Sequence, residues 1–483
     1  MDPTLKIIIG YVVFTLYTVG IMAAGMLVEK KTNLDKTVCR KLTHIISAFI
    51  WVICWYFFGC SIHWVILNGL GAVALYFMTF GHLIKTYERD DTDKSYGLFY
   101  FGLATFIVAT VCYIVGEELY LYTGITYYCL ALGDGFAPVV VRLFKKNVKI
   151  TETRSLIGSL TVFIVSFLST LVFSTVFGMN LPILFILSVA ALTCIVEFYG
   201  LKGLDNLFIE FFVFGYLVLY HYGLITVSLQ IVVLLLPPIA MTAVGRKSLA
   251  ISGGITSLLM FLAVGFFAPD FVAPAFMLIA FVLEAATSLI VRKIQKEGDH
   301  APANRNGYQV AAVALVATIS IIIYKLTGLS VFYYAYFLTL VGQFADSIAS
   351  DVGKATKGKT IDVLRLKEVE KGISGGVSLL GTAAALVSSA ALAAIGLAFG
   401  AYNFTVFVII ALFAFFGTMI DSMLGSACQA LYTCPSCGKV TEEKTCCGEK
   451  TKLIKGFSFI DNVTVNMITS VLTFGLGMFL FLL

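Results

Sequence analysis

Three carboxylates stand where a carboxylate is expensive. Glu197, Asp346 and Asp421 lie inside long apolar runs, and an acid at the centre of a membrane-spanning helix costs about 2.5–3.5 kcal/mol. Each should face a polar cavity or a partner. A helix-packing hydrogen bond would account for any one of them, but all three lie toward one face, which favours a shared use. Further acids and amides sit near other helix ends: Asp134, Asp205 with Asn206, Asp351, and Asp461 with Asn462 and Asn466. Carboxylates and carboxamides beside Lys and Arg suit a phosphate ligand carried with Mg²⁺, which takes oxygen ligands and usually keeps waters and substrate phosphates in its shell. The chain has no GxxxxGK[ST] loop and no GxGxxG unit, so a nucleotide would have to be held by the ends of the apolar helices.

Basic and glycine-rich segments stand at similar places. Arg40-Lys41-Leu42-Thr43-His44 opens one apolar run. Its cations either anchor the helix among headgroups or bind phosphate. His44 lies one turn deeper and could act as a general base near neutral pH, with His82 the second choice. The turns Arg154-Ser155-Leu156-Ile157-Gly158-Ser159 and Ser374-Gly375-Gly376-Val377-Ser378 each open a helix, where unpaired N–H groups can meet an anion. Asp346 shares a helix face with Ser350, and Ser347 with Asp351. Asp346 and Asp351 diverge by about 140°, so they meet at one ion only if the helix breaks near Gly353. Asn462 and Asn466 share a face.

Eleven cysteines are present. Seven are scattered in or beside apolar runs as small apolar fillers. The others cluster as Cys434-Pro435-Ser436-Cys437 and Cys446-Cys447, spaced like a small Cys₄ zinc ribbon over 432–456. The adjacent second pair is atypical, so another ligand could replace one thiolate.

These residues are carried by a chain made for lipid. Of its 483 residues 59% are hydrophobic and 13% charged, with a mean hydropathy of +0.95. A soluble domain has nearer 25% charged residues. A net charge of +5 gives no case for nucleic-acid binding. About sixteen apolar runs are long enough to span a bilayer, near 6–27, 42–59, 62–84, 96–115, 120–141, 157–177, 181–200, 207–222, 225–244, 249–267, 270–291, 308–324, 328–350, 374–399, 403–431 and 460–482. Threading sixteen spans through the membrane puts all but Lys6 and Lys325 of the 33 Lys and Arg on one side. Positive residues stay cytoplasmic, so both termini face outward and the sites face the cytoplasm. The expected fold is all-α and polytopic, in two parallel eight-helix repeats, 1–223 and 224–483. Four stations match in order: Asp134 with Asp346, the two Gly/Ser turns, Glu197 with Asp421, and Asp205-Asn206 with Asp461-Asn462.

The first half resembles the CTP-dependent polyprenol kinases, the phytol and dolichol kinase group. The likeness rests on Arg40-Lys41-Leu42-Thr43-His44, Gly133-Asp134-Gly135, Arg154-Ser155 with Gly158-Ser159, Glu197 and Asp205-Asn206. In that family the motif at Arg154-Ser155 usually carries Lys and Glu where this chain has Arg154 and Ile157. The second half is similar to a membrane family that includes plant phytyl-phosphate kinase. It matches at Arg305-Asn306 with Gln309, Ala345-Asp346-Ser347 with Asp351, Gly375-Gly376-Val377-Ser378, Asp421, the cysteine loop, and Asp461-Asn462 with Asn466.

The resemblance implies a bifunctional isoprenoid lipid kinase. The first half would phosphorylate the alcohol and the second the monophosphate, with CTP as donor and the lipid tail staying in the bilayer. In the first site Asp134 and Asp205 would hold Mg²⁺ with Glu197 in support. Arg40, Lys41, Arg154, Ser155, Gly158, Ser159 and Asn206 would hold phosphates, and His44 would be the base. In the second, Asp346, Asp351, Asp421 and Asp461 are the acids, Asp346 and Asp461 holding Mg²⁺. Arg305, Asn306, Gly375, Gly376, Ser378, Asn462 and Asn466 are the polar ligands there. A lipid cytidylyltransferase, a transporter with duplicated bundles, and a protein with one inactive half remain the alternatives.

Overall fold

The computed structural model describes residues 2–31, 36–80, 96–144, 147–200, 203–294, 304–355 and 358–482. His82 lies outside them. The chain divides into two compact units, Met1–Gly245 and Arg246–Leu483. The division falls after Gly245, whereas the repeat pattern predicts it near 223. The helix at 227–245 packs on a helix of the first unit, so nine of the expected spans fall in one unit and seven in the other.

A described helix overlaps each of the sixteen expected runs. Lipid offers no hydrogen bonds to a backbone, so an apolar run must satisfy its own amides and does so as a helix. Among the described residues thirteen helices are long and apolar enough to cross a membrane. Of the other three, those at 183–199 and 251–267 are apolar but reach only 17 residues, and the one at 330–355 is long enough but not among the thirteen.

The first unit holds α1 (Pro3–Lys31), α2 (Lys36–Ser47), α3 (Phe49–Phe57), α4 (Ile62–Phe80), α5 (Gly97–Val115), α6 (Tyr120–Tyr128), α7 (Gly135–Leu143), α8 (Leu156–Val176), α9 (Ile183–Tyr199), α10 (Leu204–His221) and α11 (Val227–Gly245). Its core is α9, packed on α8, α10 and α11 and buried at every residue from Ser188 to Tyr199. At the other extreme α1 buries only Gly10 and Ile21 and leans on α2 and α3. Between α6 and α7 the helix widens into a π turn at Cys129–Asp134. Such turns recur at functional sites because the extra residue redirects side chains. Gly133 lets this turn close on α8: a Cβ there would sit 2.5 Å from the Ser166 hydroxyl.

The second unit holds α12 (Ile251–Phe267), α13 (Val272–Ile294), α14 (Gly307–Thr327), α15 (Ser330–Ala355), α16 (Leu379–Ala398), α17 (Phe404–Ala427) and α18 (Asn462–Leu482). Here α15 is central, packed on α13, α14, α16, α17 and α18. The core helix is thus the seventh expected run in one unit and the thirteenth in the other, and these two runs do not correspond in an eight-plus-eight repeat. Between α15 and α16 a short antiparallel pair forms from β1 (Ile361–Asp362) and β2 (Gly376–Val377). Between α17 and α18 lie β3 (Leu431–Thr433), β4 (Val440–Thr441), β5 (Thr445–Cys446), β6 (Glu449–Lys450) and β7 (Lys452–Lys455), as a β4-β3-β7 sheet and a β5-β6 pair.

Gly124 tests this packing. A Cβ at this position would meet Phe173 and lie 2.7 Å from Trp51, and overpacking of that kind costs typically about 1–3 kcal/mol. Gly124→Val should lower the melting temperature of detergent-solubilised protein, whereas Gly215→Val, where a Cβ meets nothing within 4 Å, should leave it unchanged.

Candidate functional site

Five elements deliver charged side chains to one place in the first unit. The middle of α2 brings Lys41 and His44, the π turn brings Asp134, and the turn before α8 brings Arg154. The end of α9 brings Glu197 and the start of α10 brings Asp205. Lys41 pairs with Asp134, and Arg154 with Glu197. A second Arg154 nitrogen, Nη2, donates to the Gly200 carbonyl at 2.7 Å and to Asp205 Oδ2 at 3.2 Å. Carboxylate oxygens of Asp134, Glu197 and Asp205 lie within 4.8 Å of one another. Asp134 and Glu197 are buried. Three acids that close in a low-dielectric setting need cations, and Lys41 and Arg154 supply them. The trio offers the oxygen donors that Mg²⁺ prefers.

His44 stands beside this cluster. Its Nδ1 is 3.7 Å from Asp134 Oδ2, beyond hydrogen-bond reach. Phe101 packs edge-on against the ring at 4.9 Å, and Nε2 is buried without a partner.

The cluster forms the head of a cavity of about 1000 Å³. Arg40, Lys41, His44, Asp134, Arg154, Ser155, Gly158, Ser159, Glu197, Asp205 and Asn206 line its polar part. The remainder is faced by apolar residues of α1, α4 and α5, such as Phe14, Leu70 and Leu75. Every expected residue of the first site therefore borders one hollow. Asn206 donates to the Gly97 carbonyl at 2.7 Å and leaves Oδ1 buried and unpartnered.

The backbone anion site expected in the turn before α8 is absent. Ser155 caps the helix by accepting from the Gly158 amide, and the Arg154, Leu156, Ile157 and Ser159 amides also have acceptors. Any phosphate contact there falls to the Arg154, Ser155 and Ser159 side chains.

The second unit gathers its acids less. Among its described residues no three carboxylates converge as the trio does. Asp346 on α15 feels Asp421 on α17, with Lys354 and Arg305 as the nearby cations. Asp421 accepts from the Thr469 hydroxyl at 3.0 Å. α15 runs unbroken through Gly353 to Ala355, so Asp351 stays on another face from Asp346, with Oδ2 buried and unpartnered. Asp461 is exposed and accepts from the Thr464 amide at the start of α18. Arg305 is tied to Glu284 at 2.5 Å, and Asn306 forms a capping box with Gln309. Asn462 is exposed, while the Asn466 carbonyl accepts from Gln343. In the Gly375-Gly376 turn the Ser374 and Gly376 amides are already used, by Glu442 and the Ile373 carbonyl. Gly375, at φ +84°, lies hard against Ser426. Ser378 caps α16.

Three acids escaped the sequence reading. Glu210 and Glu284 lie in apolar runs, and the cost argument used for Glu197 would have found them. Asp362 sits in a connection, where nothing marks it. It is buried, accepting from the Ser426 hydroxyl at 2.5 Å and from the Leu364 and Arg365 amides, with Lys455 at 3.7 Å. Burial alone would raise its pKa, but these partners hold it below the usual carboxylate value.

All four clustered cysteines converge, with sulfurs within 4.8 Å of one another. Cys437 and Cys446 are 4.0 Å apart and Cys446 and Cys447 3.8 Å. A zinc–sulfur bond of about 2.3 Å puts tetrahedral thiolates about 3.8 Å apart, so the set fits one ion without a substitute ligand. The Cys437 amide leads the contacts that draw the Cys434 thiol down to about 7.

The apolar helices and the family evidence now agree. Residues 234–474 match the integral membrane protein family DUF92. The match starts within α11 and ends within α18. It covers the second unit up to residue 474 and leaves the acid trio outside it. The chain is also 35% identical over 97 residues to an uncharacterized membrane protein of Synechocystis, 20% of this chain and 36% of that one. It is 27% identical over 266 residues to Protein PGR of Arabidopsis thaliana, 49% of this chain and 90% of that one. It therefore spans about a third of the first relative's length. No solved structure matches the chain.

Arg154 should be the stability centre of the trio. Removing one partner of a buried ion pair costs about 3–5 kcal/mol because the other charge is stranded. Arg154→Met should lower the melting temperature markedly, and adding Glu197→Gln should restore part of the loss. Additive effects would show that the pair is not coupled.

Proposed function

We propose that the first unit is a nucleotide-dependent kinase for an isoprenoid alcohol, and that the second unit phosphorylates the resulting monophosphate. What carries the reading is the cavity: an acid trio and its cations at the head, an apolar body behind. A phosphorylatable lipid has the same two-part chemistry. Phosphoryl transfer is mostly positioning and charge neutralisation. Asp134 and Asp205 would hold Mg²⁺, which would screen the nucleotide's phosphate charge. Lys41, Arg154 and Arg40 face the same hollow and would take the phosphate oxygens. The present partners of Lys41 and Arg154 include carboxylates, so metal and phosphate could replace the two sides of each ion pair together. His44 Nε2 is unpartnered and would accept the alcohol proton. CTP is the donor in the group that the first half resembles.

The second step rests on Asp346 and Asp421, the two acids of that unit that sense each other, and it needs no base because its acceptor is already a phosphate. The sixteen-span threading that puts both sites on the cytoplasmic side rests on the distribution of Lys and Arg. Structural zinc at Cys434, Cys437, Cys446 and Cys447 would pin the β3–β7 segment, whose Glu442 and Lys455 reach Ser374 and Asp362.

Purified protein given CTP labelled at the γ-phosphate and a series of isoprenoid alcohols should form labelled lipid mono- and diphosphate, with CDP released. Asp134→Asn should cut the first step at least about 100-fold, the scale of a lost electrostatic contact at a reacting phosphate. Asp346→Asn should spare it and stop the second. No labelled lipid at any chain length removes the kinase reading. Pyrophosphate in place of CDP makes the protein a cytidylyltransferase.

Elemental analysis should find one zinc per chain, lost in Cys434→Ser, with faster amide exchange over 431–455. A metal-free protein with unchanged exchange would rule the ion out.

A further inference from the structure

The apolar body of the first-unit cavity has a definite depth and a soft spot in its wall. Asn206 at the acid cluster bonds to the Gly97 carbonyl, so the start of α5 marks the polar end. Phe80, the last residue of α4, stacks on Tyr96 and meets Phe99 edge-on at the start of α5, so the end of α4 lies at that polar level too. The α4 residues that face the cavity run from Met78 back to Leu67, about 16 Å of helix at 1.5 Å per residue. Gly71 lies among them, about 10 Å below Met78 by the same rise. A Cβ on Gly71 would meet nothing within 4 Å. Gly71 lines the cavity, so a larger side chain there has room to grow into it.

We propose that this stretch is the slot for the acceptor lipid's hydrocarbon tail and that Gly71 is a specificity-determining position that sets how long a tail is accepted. The inference rests on the kinase reading for the identity of the headgroup. The occupant is a tail because the slot is apolar and continuous with the acid cluster. α1, which forms the opposite wall with Phe14, Val19 and Met22, buries only two residues over its 29. It is therefore the wall most easily parted for entry from the bilayer.

The test uses full-length protein with geraniol, farnesol and geranylgeraniol. Both phosphorylation and competition against a dansyl-labelled farnesyl probe are measured. Gly71→Phe should lower the preference for geranylgeraniol over geraniol at least about tenfold, the scale of a lost apolar contact in a pocket. Leu67→Ala, which deepens the slot, should shift it the other way, a change that misfolding cannot mimic. Gly20→Phe is the control: Gly20 is on α1, exposed and off the cavity wall, and its tail preference should stay that of the unaltered protein. Turnover with no shift in Gly71→Phe and Leu67→Ala would overturn the slot and leave the kinase standing. A shifted binding preference without turnover would leave the slot standing and remove the kinase. Probe binding that is absent, or equally altered by Gly20→Phe, would overturn the slot.

Discussion

Arg154 holds the first unit's site together. A guanidinium with little access to water must find fixed partners, because desolvation of an ion costs several kcal/mol. It finds three: Glu197 at the end of α9, the Gly200 carbonyl just beyond it, and Asp205 at the start of α10. One side chain thus ties the turn before α8 to the bend between α9 and α10. Lys41 does the same between α2 and the π turn through Asp134. With those two cations in place, three carboxylates can converge in a setting that would otherwise push them apart. The same arrangement leaves each of these two cations already paired with a carboxylate.

The surrounding helices divide the labour. α9, buried from Ser188 to Tyr199, is the rigid post that presents Glu197. α1, almost wholly on the outside, encloses the cavity without belonging to the core. A charged head beside a rigid core and an apolar body behind a loose wall suit a ligand that approaches from within the bilayer.

The second unit is built differently, although it carries a similar inventory of acids. Several of its polar residues are spent on local structure. Asp461, Asn306 and Ser378 cap helices, Arg305 holds Glu284, and the Gly375 turn packs on α17. Asp362 bonds Ser426 and meets Lys455, which ties the cysteine loop to the rest of the unit. Asp346 and Asp421, the latter bonded to Thr469, are left as two acids that interact across α15 and α17.

Much of this was legible in the chain itself. Apolar runs dictate helices because lipid leaves the backbone no other partner, and a helix stands at every run. The residues of the first site could be gathered by motif, and the cysteine cluster by spacing, because short-range pattern carries that information. Which acids meet is another matter. Asp134, Glu197 and Asp205 are separated by whole helices and converge only through packing, whereas Asp346 and Asp351, five residues apart, are kept apart by an unbroken helix. The place of α11 in the first unit, the burial of Asp362 and the apolar slot behind the acids likewise depend on which helix faces lie together. Hydropathy and spacing are properties of one strand of residues; a cavity belongs to the surfaces of several helices, and only their packing could create it.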